Sequence, residues 1–270
     1  MTPPTPSAAP EAQLPVRPAS ASVIRRPDPL PVINRLLTNV LQAPLFFLVT
    51  ALCGSAALIA SLFAKTGRTQ HRIARLWARL SVFASGSRIT VLGRENLRAC
   101  PVAVYASNHT SYMDTPVVFA SLPFQFRILA KKELWSLPFI GWYLARSGQM
   151  PIDTENPRST LSSLGKAAAA LRAGMNLFVF PEGSRTPDGT LQTFLSGAAY
   201  LAIRAQLPLV PLALSGVYDL LPIHTRHFYP GRLTLRAGAP ISTEGLTLRD
   251  ADALTQKLRA AIADLLNQTR

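Results

Sequence analysis

Two short stretches of this chain gather side chains able to move a proton and to grip an anion. The first, "NHTSYMD" (108–114), places His109 five residues before Asp114. It directly follows "PVAVYAS", an apolar run that reads as a buried strand. A histidine whose ring is oriented by a carboxylate is a general base. The same letters also fit a helix start. Ser111 followed three residues later by Asp114 has capping-box spacing, and "TPVVFASL" would be the helix it opens. Taken alone, the motif leaves both readings open. The second stretch, "FVFPEGSRTPDG" (178–189), stops an apolar strand at Pro181 and continues with Glu182, Gly183, Ser184 and Arg185. Glycine lets backbone approach a ligand closely, and the planar fork of arginine suits phosphate. "TPDG" is explained as a bend, but a carboxylate and a guanidinium immediately after a buried strand are not. Polar groups at the carboxyl ends of strands are where open α/β sheets bind ligands.

Between these stretches, Lys131 and Lys132 leave a strand beside Glu133, where basic groups suit an anionic ligand. Trp135, Phe139, Trp142 and Tyr143 follow, as core or as the wall of an apolar channel. Other chemistries lack their motifs: there is no G-x-S-x-G elbow, no Walker A and no G-x-G-x-x-G. "HTRH" (224–227) has H-x-x-H spacing without a third ligand, so no metal is expected there.

The elements that must carry these residues alternate. Strands are predicted over 88–93, 102–107, 126–130, 175–181, 208–214 and 232–238, with helices over 132–148, 158–174 and 249–267. Gly174 is the expected C-terminal stop of the second helix. Strands alternating with helices imply an α/β fold.

The rest of the chain points to a membrane surface. Lys and Arg number 28 against 14 Asp and Glu, a net charge of +14, although only 16% of residues are charged and 48% are hydrophobic. Such a balance implies an anionic partner, and its hydrophobicity favours anionic lipid. No nucleic-acid module is present, so a nucleic-acid partner is not expected. With only Cys53 and Cys100, a disulfide framework is not expected either. Residues 1–31 are rich in Pro, Ala and Ser and read as a disordered tail. Residues 32–67 read as a membrane-anchoring helical segment, because 36–64 carry no charge; the polar Thr38, Asn39 and Gln42 and Pro44 leave spanning and dipping both open. Residues 68–270 form the remaining domain. At its start, Lys65, Arg68, Arg72, Arg75 and Arg79 draw a basic stripe, with Ile73, Leu76, Trp77, Leu80 and Phe83 on another face. That pattern suits anionic headgroups, or simply a helix packed on a core.

The order of blocks "NHTSYMD" (108–114), "AKKELWSLPFIGW" (130–142), "FPEGSRT" (180–186) and "VPLAL" (210–214) resembles the lysophosphatidic acid acyltransferase family, the PlsC-like 1-acylglycerol-3-phosphate O-acyltransferases. The resemblance covers roughly residues 70–245. It implies a mixed β-sheet flanked by helices, held on the inner membrane by an N-terminal helical segment and facing the cytosol. It implies acyl transfer from acyl-CoA or acyl-carrier protein to lysophosphatidic acid, giving phosphatidic acid for phospholipid biosynthesis, without metal or prosthetic group. His109 would be the base and Asp114 its orienting carboxylate. Glu182, Gly183, Ser184 and Arg185 would contact the acceptor, with help from Lys131. Two departures stand out: "FLSGAA" (194–199) lacks the lysine that many members carry there, and Thr154 stands where relatives often place arginine. Two alternatives remain: the same transfer onto another lysolipid, such as a lyso-aminolipid, and a non-catalytic membrane-binding module.

Overall fold

The computed structural model describes residues 32–64, 67–153, 156–223, 225 and 227–268. The N-terminal tail, Lys65, Thr154 and His224 lie outside the described residues. The chain opens with α1 (Val32–Leu37), a π turn (Thr38–Gln42), α2 (Ala43–Phe63) and α3 (Arg68–Ala84). Next come β1 (Arg88–Leu92), α4 (Arg94–Arg98), β2 (Val104–Ser107), α5 (Asp114–Ser121) and β3 (Phe126–Lys131). A 3₁₀ turn (Lys132–Ser136), α6 (Ile140–Ser147), β4 (Met150–Ile152), α7 (Pro157–Arg172) and β5 (Asn176–Val179) follow. The last elements are α8 (Gly197–Ala205), β6 (Leu209–Ser215), α9 (Val217–Leu220), β7 (Arg232–Ala237) and α10 (Ala251–Asn267).

The strands form one mixed sheet in the order β1-β7-β6-β2-β5-β3-β4. β6, β2, β5, β3 and β4 run parallel, and β7 joins β6 antiparallel with β1 parallel to itself at the far edge. Parallel strands are buried on both faces, and here alternate residues feed two cores. Tyr105 and Phe178 pack with α3 and α5 on one face, whereas Val104, Ala106, Leu177 and Val179 pack with α7, α8 and α10 on the other. The carboxyl ends of β2, β5 and β3 are therefore neighbours on one edge of the sheet. That edge holds the two motifs and Lys131.

The predicted strands all form, and a seventh, β4, is too short to show an alternating pattern. The helix expected over 132–148 is instead two pieces, because Pro138 cannot continue a helix begun upstream. The second predicted helix does stop before Gly174, which adopts the left-handed φ of 91°.

At the N-terminus, α2 and α3 form an antiparallel hairpin. Gln42 donates to the Ser85 carbonyl at 3.2 Å, the Trp77 indole donates to Thr50 Oγ1 at 3.0 Å, and Gln70 donates to the Ala64 carbonyl at 2.8 Å. Pro44 does not break the helix; it sits in the first turn of α2, just after the π turn. Thr38 and Gln42 are buried at the base of the hairpin, where Thr38 donates toward the Phe228 carbonyl. The stretch Arg35–Phe63 is long and apolar enough to cross a membrane, and only 6% of its most apolar window is buried. On α3, Ala74, Ala78 and Val82 face the core while Arg68, Arg72 and Arg79 are exposed. Leu76, Leu80 and Phe83 are exposed too, so much of the apolar stripe faces outward beside the arginines. An apolar surface of this extent suits contact with lipid, and the protein is membrane-associated.

Candidate active site

His109 stands just beyond β2, and its placement is fixed from several sides. Its Nδ1 lies 2.8 Å from Asp114 Oδ2, at the first residue of α5. The Asp114 carboxylate is fully buried and accepts the Thr110 N–H at 2.6 Å and the Ser111 N–H at 2.8 Å. A buried carboxylate so supplied with donors keeps its orientation. The capping-box reading is half realised. Asp114 takes the Ser111 N–H, but Ser111 Oγ accepts from Met113 and donates to the Leu221 carbonyl instead of closing the box. One carboxylate thus shapes the turn and orients the imidazole.

The second motif holds the histidine from below. The His109 ring stacks on Phe180, centroids 3.9 Å apart and planes 15° apart. The His109 N–H donates to Glu182 Oε1 at 2.7 Å, and the His109 carbonyl accepts the Thr186 N–H at 3.0 Å. The other Glu182 oxygen accepts the Gln192 N–H at 3.0 Å. Arg259 of α10 secures that loop by donating to the Leu191 and Gln192 carbonyls. On the opposite side, buried Asn108 exchanges two hydrogen bonds with the Leu214 backbone, tying the end of β2 to β6.

His109, Lys131, Gly183, Ser184 and Arg185 all line one cavity of about 540 Å³. Arg185 is half-buried, its guanidinium carbon 3.9 Å above the Tyr112 ring. Stacking on that face leaves the edge N–H donors free for an anion. Among the described residues neither Arg185 nor Lys131 makes an ion pair, whereas Lys132 pairs with Asp153 at 2.7 Å. A brace between Arg185 and Glu182 is not made. Glu182, expected among the acceptor's contacts, is buried beneath His109 with both oxygens engaged by backbone, and it does not line the cavity. In the 182–186 turn the Gly183 and Thr186 N–H groups are engaged, while those of Ser184 and Arg185 make no hydrogen bond among the described residues.

A second cavity of about 380 Å³ lies between α2, α3 and α6 and is lined almost wholly by apolar groups. Thr115, Ile128, Ala130 and Leu134 line both cavities, so the two share a wall between His109 and the hairpin. Asn108, Tyr112 and Phe180 carry parts of this site that the sequence did not single out. The asparagine beside a buried strand end was the one visible signal, since such an amide needs partners.

Burial pushes the Glu182 carboxyl up to about 7, against the pull of its two backbone donors. Between the unfolded value near 4.5 and about 7, the folded chain holds a proton that the unfolded chain has lost. Stability therefore falls as pH rises through that window. In Glu182→Gln the stability lost across this window should shrink by roughly 3 kcal/mol, read from urea unfolding at both ends of the window. Because an amide cannot accept from both N–H groups, kcat should fall by about tenfold to a hundredfold with acceptor KM nearly unchanged. An acceptor KM that rises with kcat intact would place Glu182 on the substrate after all.

Comparison with known proteins agrees with this geometry. The Acyltransferase family model matches residues 88–215. The chain is 32% identical over 244 residues to a 1-acyl-sn-glycerol-3-phosphate acyltransferase of Saccharomyces cerevisiae, covering 88% of this chain and 80% of that protein. It is 32% identical over 199 residues to a chloroplastic enzyme of the same name from Arabidopsis thaliana, where it spans 54% of the relative's length. The alpha form of Homo sapiens is 30% identical over 198 residues, with 73% and 70% covered. The crystal structure of the acyltransferase PlsC from Thermotoga maritima superposes with a TM-score of 0.70 at 22% identity, covering 86% of this chain and 97% of that one, which shows the shared fold. With a family model on its central sheet and a relative matched along most of both chains, this protein belongs to the 1-acyl-sn-glycerol-3-phosphate acyltransferase family of acyltransferases.

Proposed function

We propose that this protein transfers a fatty acyl chain from a thioester to the free hydroxyl of 1-acyl-glycerol-3-phosphate, forming phosphatidic acid. The observation that carries the reading is the His109 ring, tied through Nδ1 to buried Asp114 and lining a cavity that also holds Arg185 and Lys131. With Nδ1 engaged, Nε2 is the nitrogen left to take the acceptor's proton as its oxygen attacks the thioester carbonyl carbon. The C–S bond then breaks, the thiolate leaves, and the imidazolium returns the proton to it. Asp114 stabilises the imidazolium between those steps. The unengaged N–H groups of Ser184 and Arg185 are the candidates to meet the carbonyl oxygen as it gains charge.

Arg185 and Lys131 suit the acceptor's phosphate, and an apolar passage opening through the wall that the two cavities share would suit its acyl chain or the donor's. Acyl-CoA and acyl-carrier protein both supply the required thioester. The reaction needs no metal or prosthetic group in this reading. The hairpin supports a position in the plane of one leaflet. Because α2 pairs with α3 along its length, sinking it across the bilayer would carry Arg68, Arg72, Arg75 and Arg79 inward as well. Each arginine at the centre would cost about 2.5–3.5 kcal/mol. Exposed arginines beside apolar residues favour the anionic cytosolic face of the inner membrane, where the thioester donors are found.

Purified protein given lysophosphatidic acid and a thioester donor should form phosphatidic acid, detected by mass spectrometry. His109→Ala should abolish it while membrane binding and melting temperature persist; comparable turnover by a folded variant rules out this base. Arg185→Ala should raise the acceptor KM by about tenfold to a hundredfold and leave the donor KM nearly unchanged, with lysine recovering only part. Equal activity on a lysolipid lacking a phosphate monoester would instead point to the broader acceptor range. At the junction of the cavities, Ala130→Phe should depress transfer with long acyl chains by about tenfold and spare short ones. A uniform loss at every chain length would mean that the passage holds no chain.

A further inference from the structure

The corner joining the 3₁₀ turn to α6 holds apolar side chains out of the fold. Phe139 has φ 62° and ψ −52°, a conformation that side-chain-bearing residues rarely adopt. The Ile140 N–H donates to the Pro138 carbonyl at 2.6 Å, closing a strained γ-turn. Gly141 fixes this turn from within, since a Cβ there would come 2.1 Å from the Trp135 carbonyl oxygen. The outcome is a ring pair facing solvent: Phe139 is 68% exposed and Trp142 55%, with centroids 5.1 Å apart. Leu137 and Ile140 are exposed beside them. Strain that turns aromatic rings toward water is unfavourable twice over unless something other than water meets them.

Neighbouring elements show what meets them. Arg146 of α6 donates to Ser61 Oγ near the end of α2 at 3.2 Å, and Gly67, between α2 and α3, packs against the Ser147 carbonyl. The corner is thereby joined to the hairpin end where Leu62 and Phe63 are exposed. Arg68, Arg72 and Arg146 are exposed cations on these same elements. Aromatic and aliphatic side chains beside arginines match the layered chemistry of an anionic bilayer surface. Phe139 and Ile140 also line the second cavity, so the wall of that cavity and this surface are the same residues.

We propose that residues 137–142 are a second membrane-inserting element, distinct from α2, which seats the wall of the apolar cavity against anionic lipid. The proposal deepens the membrane reading above and does not depend on which lysolipid is acylated. Its first test needs no catalysis. Protein carrying Trp77→Phe, which silences the indole bonded to α2, and bound to phosphatidylglycerol vesicles with brominated acyl chains should show tryptophan quenching, and a further Trp142→Phe should remove most of it. Equal quenching in the two proteins, both sedimenting with the vesicles, would overturn the proposal, as would docking of a second copy that leaves Trp142 unquenched. The second test uses Leu137→Ser combined with Trp142→Ser. Turnover of lysophosphatidic acid held in vesicles should fall by about tenfold, while a short-chain monomeric acceptor is turned over at nearly the native rate. Equal loss on both acceptors, or loss on neither, would overturn it. If the wild-type protein acylates no lysolipid, the quenching result alone decides the insertion, and the failure then belongs to the proposed reaction.

Discussion

A carboxylate buried between two strand ends joins the halves of this site. Glu182 leaves β5 and reaches under the residue that follows β2, taking the His109 N–H on one oxygen and the Gln192 N–H on the other. Removing such a group from water is unfavourable unless donors replace the water, and here both donors are main-chain groups of the segments that must be held together. The raised pKa of this carboxyl shows that burial outweighs those donors. His109 is consequently positioned through its backbone as well as its ring, so its orientation is set by the fold itself.

The sheet explains why the groups meet. β2, β5 and β3 lie side by side and run the same way, so their carboxyl ends deliver His109, Arg185 and Lys131 to one edge. Side chains alternating into two cores leave these strands no freedom to slip, because a shift by one residue would exchange the faces. Asp114 completes the arrangement from α5, where two backbone N–H groups hold its carboxylate in place. The Asp114 carboxylate behind the imidazole and the Arg185 guanidinium lining the cavity are thus delivered by different elements.

The membrane-facing parts follow from the same economy of surfaces. α3 buries small residues against the core and turns arginines and large apolar residues outward, while α2 lies along it with most of its apolar surface uncovered. The second cavity forms where this hairpin crosses α6. The second cavity and the exposed apolar surface of the hairpin are therefore built from shared elements.

How much of this was legible in the sequence depends on distance along the chain. His109 and Asp114 are five residues apart, so a turn at a strand end is enough to bring them together, and their pairing could be read directly. The α/β alternation, the apolar N-terminal segment and the arginine stripe were likewise periodic and local. β4 was too short to announce itself, and the helix expected over 132–148 ignored the break that Pro138 imposes. The surroundings of Glu182 were hidden for a different reason. Its residue type and its position beside Arg185 suit a ligand contact, and only the packing of β5 against β2 shows that both oxygens are engaged by backbone 73 and 10 residues away. The stacking of Phe180 under His109, the clip from Asn108 to Leu214 and the wall shared by the two cavities are contacts between distant segments too. The sequence by itself determined which groups could do chemistry; tertiary structure decided which of them face the cavity and which hold the others in place, because burial and hydrogen-bond partners are properties of the packed chain.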